Sequence, residues 1–324
     1  MPTSKSSRIR VGITIGDPAG IGPFTTLKAI ERLWKVAHFV VIGSRSVLEK
    51  VSSFKKISQK IKILDLDNVD VKNFIPGTIR AEYGRASIEY LEAGLELIKK
   101  GEIDCLVTSP ISKEAVHLAG FSYLGHTDYF LKKMNKKEEE IVMMLLNKYL
   151  RFSLVTTHIG LKKVSAHLSI HKICRVSLIT YNFLKFNLGL AKARLGVCAL
   201  NPHASDNGLF GKEENEIIKP AVKKLAKKII IEGPLSADVA ITRAFKKEFD
   251  AVIAMYHDQA LIPLKLTGFS TGVNITLGLG FIRTSPLHGT AFDLVKEGKG
   301  NSADCSSTIS AINLAICAAT RKKD

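Results

Sequence analysis

The sequence predicts an α/β protein built on a mixed, mostly parallel sheet. Apolar runs of strand length alternate along the 324 residues with longer segments of helical periodicity, the pattern of strands joined by crossover helices. Two of the runs flank Asn147-Lys148, a turn signal that favours an antiparallel hairpin. Because the chain is long and 46% hydrophobic, we expect residues 1–324 to form one unit of two α/β lobes with discontinuous boundaries.

The first half of the chain opens with a predicted strand over 9–15, a glycine-rich turn over 16–23 and an amphipathic helix over 24–34. The turn has neither the G-x-G-x-x-G of a dinucleotide-binding loop nor the Gly-Lys-Ser/Thr of a P-loop. The next predicted elements are strands over 38–42 and 61–66, a helix over 86–100 that Gly101 would end, and a strand over 104–108.

The second half begins with the predicted hairpin, whose strands cover 141–146 and 149–155. Helical periodicity then covers 168–186 and 213–228, and an apolar run over 273–277 predicts a further strand. An apolar-faced helix over 302–319 closes the chain.

Composition argues against several classes of protein. No apolar stretch approaches the roughly 20 residues of a membrane span, and residues 1–8 contain no apolar core of signal-peptide length. We therefore expect a cytoplasmic protein whose first residues lead into the first strand. The five cysteines show no C-x-x-C spacing, so neither a disulfide framework nor a thiolate zinc site is indicated.

The chain is basic, with a formal charge of +17 from 47 Lys and Arg against 30 Asp and Glu. The lysines lie in dispersed pairs, and aromatic residues make up only 7% of the chain, which favours a solvated surface over a nucleic-acid interface. A positive field also suits an anionic substrate. A basic binding protein without catalytic activity remains an alternative.

Three histidines follow predicted buried strands. His158, His203 and His257 each come at the end of an apolar run or within a few residues of it. Because ligands bind beyond the carboxyl ends of parallel strands, we expect the three imidazole rings to converge. A lone loop histidine is more often a surface residue, but a three-histidine set leaves coordination positions open, as a catalytic metal requires. The sequence therefore predicts a metal site with room for a substrate.

Polar residues beside these histidines are suited to orient ligand imidazole rings. They are Thr156, Thr157, Asn201, Asp206, Asp258 and Gln259.

Two further groups of polar residues are candidates for anion binding. His126 and Thr127 precede an apolar segment and are expected at a helix N-terminus, where free amides favour anions; simple capping by Thr127 or Asp128 is the alternative. Lys265, Asn274 and Arg283 each interrupt an apolar run, so burial would require a polar partner. That partner is either a bound anion or, for Arg283, a structural salt bridge.

Two turns carry weaker signals. Asp17, in the glycine-rich turn, is either a functional carboxylate or a helix cap. The small residues in His288-Gly289-Thr290-Ala291 would allow a flat ligand to approach closely.

Several long stretches together resemble one family. They are Gly16-Asp17-Pro18-Ala19-Gly20-Ile21-Gly22-Pro23, Leu200-Asn201-Pro202-His203-Ala204, Ala254-Met255-Tyr256-His257-Asp258-Gln259, Gly272-Val273-Asn274-Ile275-Thr276-Leu277-Gly278-Leu279, Phe281-Ile282-Arg283-Thr284-Ser285 and His288-Gly289-Thr290-Ala291. Over nearly its whole length the chain resembles the 4-hydroxythreonine-4-phosphate dehydrogenase family of pyridoxal phosphate biosynthesis.

The resemblance implies a role for each candidate residue and a shared site. The metal ligands would be His158, His203 and His257; the substrate would be bound by His126, Thr127, Lys265, Asn274 and Arg283; and the adenosine part of the cofactor would contact His288, Gly289, Thr290 and Ala291. The family resembles isocitrate and isopropylmalate dehydrogenases in fold. Its members are homodimers with the active site between lobes and at the subunit interface, so the histidines need not come from one chain.

The implied reaction is a metal-assisted oxidation of 4-phosphooxy-L-threonine with NAD or NADP. The divalent ion, which would be zinc, magnesium, cobalt or manganese, lowers the pKa of the substrate hydroxyl. Hydride passes to the nicotinamide, and the 3-oxo acid loses carbon dioxide to give 3-amino-2-oxopropyl phosphate. Lys265 is expected to act in catalysis as a proton shuttle. The alternatives are a paralogue that oxidises 4-phospho-D-erythronate or threonate and, more remotely, an enzyme like phosphate acetyltransferase.

Four positions depart from the family pattern. Phe24 and Leu287 stand where acidic residues are common, Leu209-Phe210 replaces a pair that often includes histidine, and Ser112 stands where some members have histidine. The metal and substrate positions are unaffected, whereas cofactor preference and substrate selectivity depend on these four sites.

Overall fold

A computed structural model describes residues 8–323. The segment before residue 8, expected to lead into the first strand, lies outside the described residues. The contacts divide the chain into two compact units, one formed by Met1–Asn135 with Phe281–Thr320 and the other by Lys136–Gly280 with Arg321–Asp324. The chain thus leaves the first unit after Asn135 and re-enters it at Phe281.

Strands and helices alternate through both units. The strands are β1 (Arg10–Thr14), β2 (His38–Gly43), β3 (Lys62–Asp65), β4 (Cys105–Thr108), β5 (Val142–Leu146), β6 (Arg151–Leu154), β7 (Arg194–Cys198), β8 (Ile230–Leu235), β9 (Ala251–Ala254), β10 (Val273–Leu277) and β11 (Ile282–Pro286). The helices are α1 (Gly22–Leu33), α2 (Arg45–Leu48), α3 (Phe54–Ile57), α4 (Ala81–Lys99), α5 (Lys113–Leu118), α6 (His126–Lys133), α7 (Ile170–Asn182), α8 (Lys219–Leu225), α9 (Ala237–Phe245), α10 (His257–Gly268), α11 (Phe292–Lys296) and α12 (Ser306–Lys323).

The first unit contains five parallel strands in the order β3-β2-β1-β4-β11. Val11 and Ile13 of the central strand β1 are fully buried, and Gly12 and Thr14, on the opposite face, are buried as well. A strand with both faces covered reads as a continuous apolar run, which is why β1 was predictable from sequence.

The second unit has the strand order β10-β5-β6-β9-β7-β8. β5 is antiparallel to both β10 and β6, which confirms the predicted hairpin and the mixed sheet. β6, β9, β7 and β8 are parallel neighbours. The three strands that precede the histidines, β6, β9 and β7, therefore lie side by side with their carboxyl ends at one edge.

The structure differs from the prediction at several elements, including β8 and α9, which were not predicted, and three of the differences have an identifiable cause. Helix α4 begins at Ala81 instead of at residue 86. The first turn was not predicted because Gly84 weakens the helical pattern. The structure requires a glycine at this position because α4 approaches the backbone of Ala115 there. Strand β11 was not predicted because Arg283 interrupts its apolar run. Helix α10 was not predicted because it contains Pro263.

Within the described residues no helix is both long and apolar enough to cross a membrane. Four cysteines are buried and Cys317 is exposed. Burial raises the pKa of the Cys198 thiol to about 12, as expected of a cysteine that acts as a small core residue.

Candidate active site

Two of the three strand-end histidines meet in the second unit. His158 follows β6, and His257 is the first residue of α10, directly beyond β9. Their ring centroids lie 5.7 Å apart with an interplanar angle of 46°. Because β6 and β9 are parallel neighbours, the sheet itself brings these rings together from positions 99 residues apart in the chain.

The spacing of the two rings suits a shared metal ion. A metal–nitrogen bond of 2.0–2.1 Å places each ring centre about 3.2 Å from the ion, so two imidazoles at tetrahedral or slightly wider angles have centroids about 5–6 Å apart. The observed separation of 5.7 Å falls within this interval. Imidazole nitrogen is a ligand type that zinc and cobalt accept readily.

Asp258 fixes the tautomer of His257. The Nδ1 atom of His257 lies 2.7 Å from Oδ1 of Asp258. Because an ionised carboxylate only accepts, Nδ1 carries the hydrogen and donates it. The lone pair of His257 is then on Nε2, which is the atom left to bind a metal.

His203 is held in an unusual backbone conformation. The five consecutive residues 203–207 have φ angles between 44° and 64°, a left-handed conformation that costs side-chain-bearing residues free energy. The His203 ring lies 6.4 Å from the ring of Phe210. Among residues 8–323, no three His, Cys, Asp or Glu side chains form a group that would hold a metal ion, so the single chain does not join His203 to the other pair.

Glu214 anchors the start of this left-handed segment. Its buried carboxylate accepts hydrogen bonds from the backbone amides of Leu200 and Asn201, at 2.8 and 2.9 Å, and from Nδ2 of Asn201 at 2.9 Å. Asn201 also donates to Glu213. The described hydrogen bonds of Asn201 fix the loop, and that this residue orients an imidazole stays a prediction.

The other polar neighbours of the histidines also bond to backbone. Thr156 donates to the carbonyl oxygen of Met255, and Gln259 bonds to Met255 and Ala199. Of the polar residues expected to orient the rings, Asp258 is the one with a described hydrogen bond to an imidazole.

Lys265 and Asn274 lie on different elements of the second unit. Lys265 is exposed on α10, eight residues and therefore about 12 Å along the helix from His257. Its Nζ atom lies 5.6 Å from the ring centroid of Phe269. Asn274 is half-buried on β10, and its Oδ1 atom is buried without a hydrogen-bond partner among the described residues. That oxygen is available to accept a hydrogen bond from a ligand.

In the first unit, His126 begins helix α6 and contacts the end of β4. Its Nε2 atom lies 3.2 Å from the carbonyl oxygen of Ser109. A carbonyl only accepts, so Nε2 carries the hydrogen and Nδ1 is left as an acceptor. Burial, and secondarily the positive charge of Arg283, holds the His126 pKa well below its usual value of 6.5, so the ring is neutral. Thr127, the second residue of α6, is half-buried.

Arg283 is the largest fully buried side chain of the described chain. Its Nε and Nη2 atoms donate to Oγ1 of Thr108 at 3.1 and 2.6 Å, and its guanidinium lies 5.9 Å from the centroid of Phe130. Burial lowers the pKa of Arg283 to about 9. Binding of an anion to this buried guanidinium would stabilise its charge.

The glycine-rich turn and the His288–Ala291 loop pack against each other. The Ile21 amide donates to the Thr290 carbonyl at 2.8 Å, and a Cβ atom on Gly20 would lie only 3.0 Å from the same oxygen. Ala291 has a φ of 43°. Gly20 therefore permits the close approach of the two loops.

Asp17 in this turn is fully buried. Its Oδ1 atom accepts a hydrogen bond from the Ala19 amide at 3.0 Å, while Oδ2 has no partner among the described residues. Burial raises the pKa of Asp17 to about 7. Asp17 thus accepts a hydrogen bond within its own turn, and burial disfavours its charged form relative to an exposed aspartate.

His288 is also neutral. Burial lowers its pKa, and Nδ1 lies 3.0 Å from the carbonyl oxygen of Gly289, so that Nδ1 donates. Nε2 is 3.4 Å from the hydroxyl of Thr308.

Three of the four departures from the family pattern have structural explanations. Phe24 packs with the buried Ile21 and Val295 and covers Gly300, where a Cβ atom would lie 2.7 Å from the ring. Ser112 caps α5 by accepting a hydrogen bond from the Ala115 amide. Leu209 and Phe210 are exposed beside His203. The backbone amide of Leu287 donates a hydrogen bond to the hydroxyl of Ser307. This contact does not explain why the Leu287 side chain is apolar.

Sequence reasoning missed three residues that position the candidate site. Thr108 and Ser109, at the end of β4, hold Arg283 and His126, and Glu214 anchors the His203 segment. The same strand-end argument that selected the histidines applies to Thr108-Ser109. Glu214 carries no local signal, because its partners precede it by more than a dozen residues.

The chain matches known proteins along most of its length. It is 44% identical over 322 residues to a 4-hydroxythreonine-4-phosphate dehydrogenase from Sulfurihydrogenibium sp., covering 95% of this chain and 98% of the relative. It is 40% identical to a D-threonate 4-phosphate dehydrogenase from Salmonella typhimurium, covering 92% and 96%. A crystal structure of 4-hydroxythreonine-4-phosphate dehydrogenase from Klebsiella pneumoniae superposes with a TM-score of 0.85 at 34% identity, covering 98% of this chain and 100% of that one.

The family model described as pyridoxal phosphate biosynthetic protein PdxA matches residues 35–315. Together with the identity to full-length relatives, this match shows that the chain belongs to the PdxA family.

Proposed function

We propose that this protein is a dehydrogenase that oxidises 4-phosphooxy-L-threonine with NAD or NADP, assisted by a divalent metal ion, in pyridoxal phosphate biosynthesis. The observation that carries the proposal is the pairing of His158 and His257 at the carboxyl edge of parallel strands, in a chain that belongs to the PdxA family. Cytoplasmic location is part of the proposal.

The metal would be held by His158, His257 and a His203 side chain. The spacing of the first two rings and the Nε2 lone pair of His257 fit an imidazole-ligated ion. When bound, such an ion supplies Lewis-acid stabilisation of the negative charge that develops on the substrate oxygen. Zinc, cobalt, manganese and magnesium are all compatible with imidazole and substrate oxygens as joint ligands.

We propose that His203 reaches the pair from a second copy of the chain. Within one chain the described residues form no three-ligand group, and the family resemblance implies a homodimer with a shared site. Helix α10, which begins with His257, supports this arrangement because it exposes Ile262 and Leu266 one turn apart on one face, with Leu266 82% exposed. An apolar stripe of this kind next to a half-formed site is suited to burial against a partner.

The substrate residues have distinct roles. The buried guanidinium of Arg283 and the exposed ammonium of Lys265 would attract the phosphate and carboxylate groups, and Thr127 at the start of α6 would add a hydroxyl and a free amide. Asn274 offers an unsatisfied acceptor to a substrate hydroxyl or amine. His126, neutral with Nδ1 free of its hydrogen, would accept a hydrogen bond from the substrate.

The nicotinamide cofactor would contact the His288–Ala291 loop. The packing of this loop on the glycine-rich turn and the neutral state of His288 support a preformed, weakly charged surface for an adenosine group. When bound, the nicotinamide supplies the hydride acceptor, and the protein supplies orientation. We propose no preference between NAD and NADP.

Steady-state assays of the purified protein test the proposal. We expect reduction of NAD or NADP with 4-phosphooxy-L-threonine and a divalent salt, and loss of that activity after thorough metal removal. His158→Ala and His257→Ala should each lower kcat/KM at least about 100-fold, since each removes a metal ligand. Full activity in metal-free protein would contradict the proposal.

A second substrate is the main alternative. The 40% identity to a D-threonate 4-phosphate dehydrogenase favours a phosphorylated sugar acid such as D-threonate 4-phosphate or 4-phospho-D-erythronate as the competitor. These compounds lack the amine of phosphohydroxythreonine. The kcat/KM values for the two substrates decide between them. A higher kcat/KM for the phosphorylated sugar acid than for 4-phosphooxy-L-threonine would overturn the proposed substrate.

A further inference from the structure

We propose that Gln259 is a positioning residue that holds the end of β9, from which the chain leads into His257, against the end of β7, and that metal affinity depends on it. The inference rests on the proposed metal site. It concerns a residue whose described contacts involve neither an imidazole nor any other predicted ligand.

The side chain of Gln259 joins two strand ends. It is buried in the first turn of α10, two residues beyond His257. Its Oε1 atom accepts from the amide of Met255, just after β9, and its Nε2 atom donates to the carbonyl oxygen of Ala199, just after β7, both at 2.8 Å. The two ends of one amide thus span the points where the chain leaves for His257 and for His203.

Thr156 continues this connection to the third strand. Its hydroxyl donates to the carbonyl oxygen of Met255 at 2.7 Å, and its own amide donates to the same oxygen at 3.2 Å. Thr156 lies two residues before His158 and is almost fully buried. The side chains of Thr156 and Gln259 therefore form a continuous line of hydrogen bonds across the ends of β6, β9 and β7.

These side-chain hydrogen bonds help to fix the distances between the ends of β6, β9 and β7. Beyond Leu154, Cys198 and Ala254 the strands have ended. The amides of Val155 and Thr156 still bond to the carbonyl oxygens of Ala254 and Met255, and the side chain of Gln259 links the end of β9 to Ala199 after β7. Metal sites tolerate little error in ligand position, and loss of residues that orient ligands typically costs 10–100-fold in affinity. The polar contacts just beyond the strand ends are therefore where ligand geometry is controlled.

The chain provides a matched control for Gln259. Asn147 is a second buried amide of the same unit, equally exposed at 7%. It donates to the carbonyl oxygen of Leu264 and the hydroxyl of Thr267 and accepts from the amides of Tyr149 and Leu150. Asn147 thus ties the hairpin loop to the far end of α10, remote in sequence from His257. Loss of either amide leaves buried backbone groups unsatisfied, at a similar cost in stability.

Cobalt(II) binding to the full-length protein tests the inference. We expect Gln259→Leu to weaken Co²⁺ binding at least about tenfold in chelator competition and to change the visible absorption of the bound ion, whereas Asn147→Leu should leave both within about twofold of wild type. Thr156→Val should weaken binding as Gln259→Leu does, and Thr156→Ser, which keeps the hydroxyl, should restore it. Equal cobalt affinity in Gln259→Leu, Thr156→Val and Asn147→Leu would overturn the inference.

Two further results keep the outcomes distinct. If Gln259→Leu does not fold, the Thr156 pair decides, and equal affinity of the valine and serine variants would overturn the inference. If His158→Ala and His257→Ala bind Co²⁺ as tightly as wild type, the proposed metal site itself is wrong. If they lose binding while the Gln259 and Thr156 variants keep it, only the positioning role is wrong.

Discussion

At the residue scale, neighbouring acceptors determine what each imidazole does. Asp258 takes the Nδ1 hydrogen of His257, and the Ser109 carbonyl takes the Nε2 hydrogen of His126. The two rings consequently expose opposite nitrogens, Nε2 of His257, which suits a metal, and Nδ1 of His126, which suits a hydrogen-bond donor. Sequence reasoning selected both histidines from their strand-end and helix-start positions. It did not predict the tautomers, because Ser109 is distant in sequence from His126.

Asp17 makes the stability of the protein depend on pH. Because burial raises its pKa from 3.8 to about 7, the folded state retains a proton between these pH values that the unfolded state releases. The free energy of unfolding therefore falls as pH rises from about 4 to about 7. Asp17→Asn keeps an acceptor for the Ala19 amide but cannot ionise.

We expect the stabilisation by Asp17→Asn to be larger at pH 8 than at pH 5, by about 1–3 kcal/mol. Urea unfolding of the variant and the wild type at both pH values measures the difference. An equal effect at the two pH values would show that Asp17 does not hold its proton in the folded state.

At the element scale, the fold was predictable where apolar periodicity was continuous. Strands β1, β4 and β10 and the β5–β6 hairpin were predicted within one or two residues of their observed bounds. Strand β11 and the first turn of α4 were missed because Arg283 and Gly84 contradict the local pattern. In both cases a tertiary requirement, a buried cation or a close helix contact, outweighs local propensity.

Helix α4 offers a direct test of this explanation. A Cβ atom on Gly84 would lie 2.0 Å from the carbonyl oxygen of Ala115, whereas on Gly94 it would meet the ends of two side chains, Leu106 at 3.0 Å and Ile42 at 3.5 Å. Both glycines are inside the same helix, so alanine gives each the same gain in helix propensity. We expect Gly84→Ala to lower the free energy of unfolding by at least about 2 kcal/mol and Gly94→Ala to change it by less than about 1 kcal/mol. Chemical denaturation of both variants checks this, and similar values would contradict the close contact of α4 with Ala115.

At the scale of the whole molecule, composition and topology act together. The formal charge of +17 comes with lysine pairs dispersed along the chain, a composition that suits anionic ligands in general. The parallel order β6-β9-β7 places the three strands that precede the histidines side by side, and the rings of His158 and His257 meet beyond them. Sequence reasoning selected the three histidines but not their arrangement, because residues 203–207 adopt a left-handed conformation after a loop that Glu214 anchors from further along the chain.

The central claim is that His158 and His257 of one protomer share a metal with His203 of its partner. Subunit mixing tests it most directly, with His158→Ala and His203→Ala proteins that are each inactive as homodimers. Random pairing gives half heterodimers, each with one intact site, so the account predicts recovery of about a quarter of wild-type activity. Mixing His158→Ala with His257→Ala should give no recovery, because every site then lacks a ligand. Absence of recovery in the first mixture, with subunit exchange verified, would contradict the account.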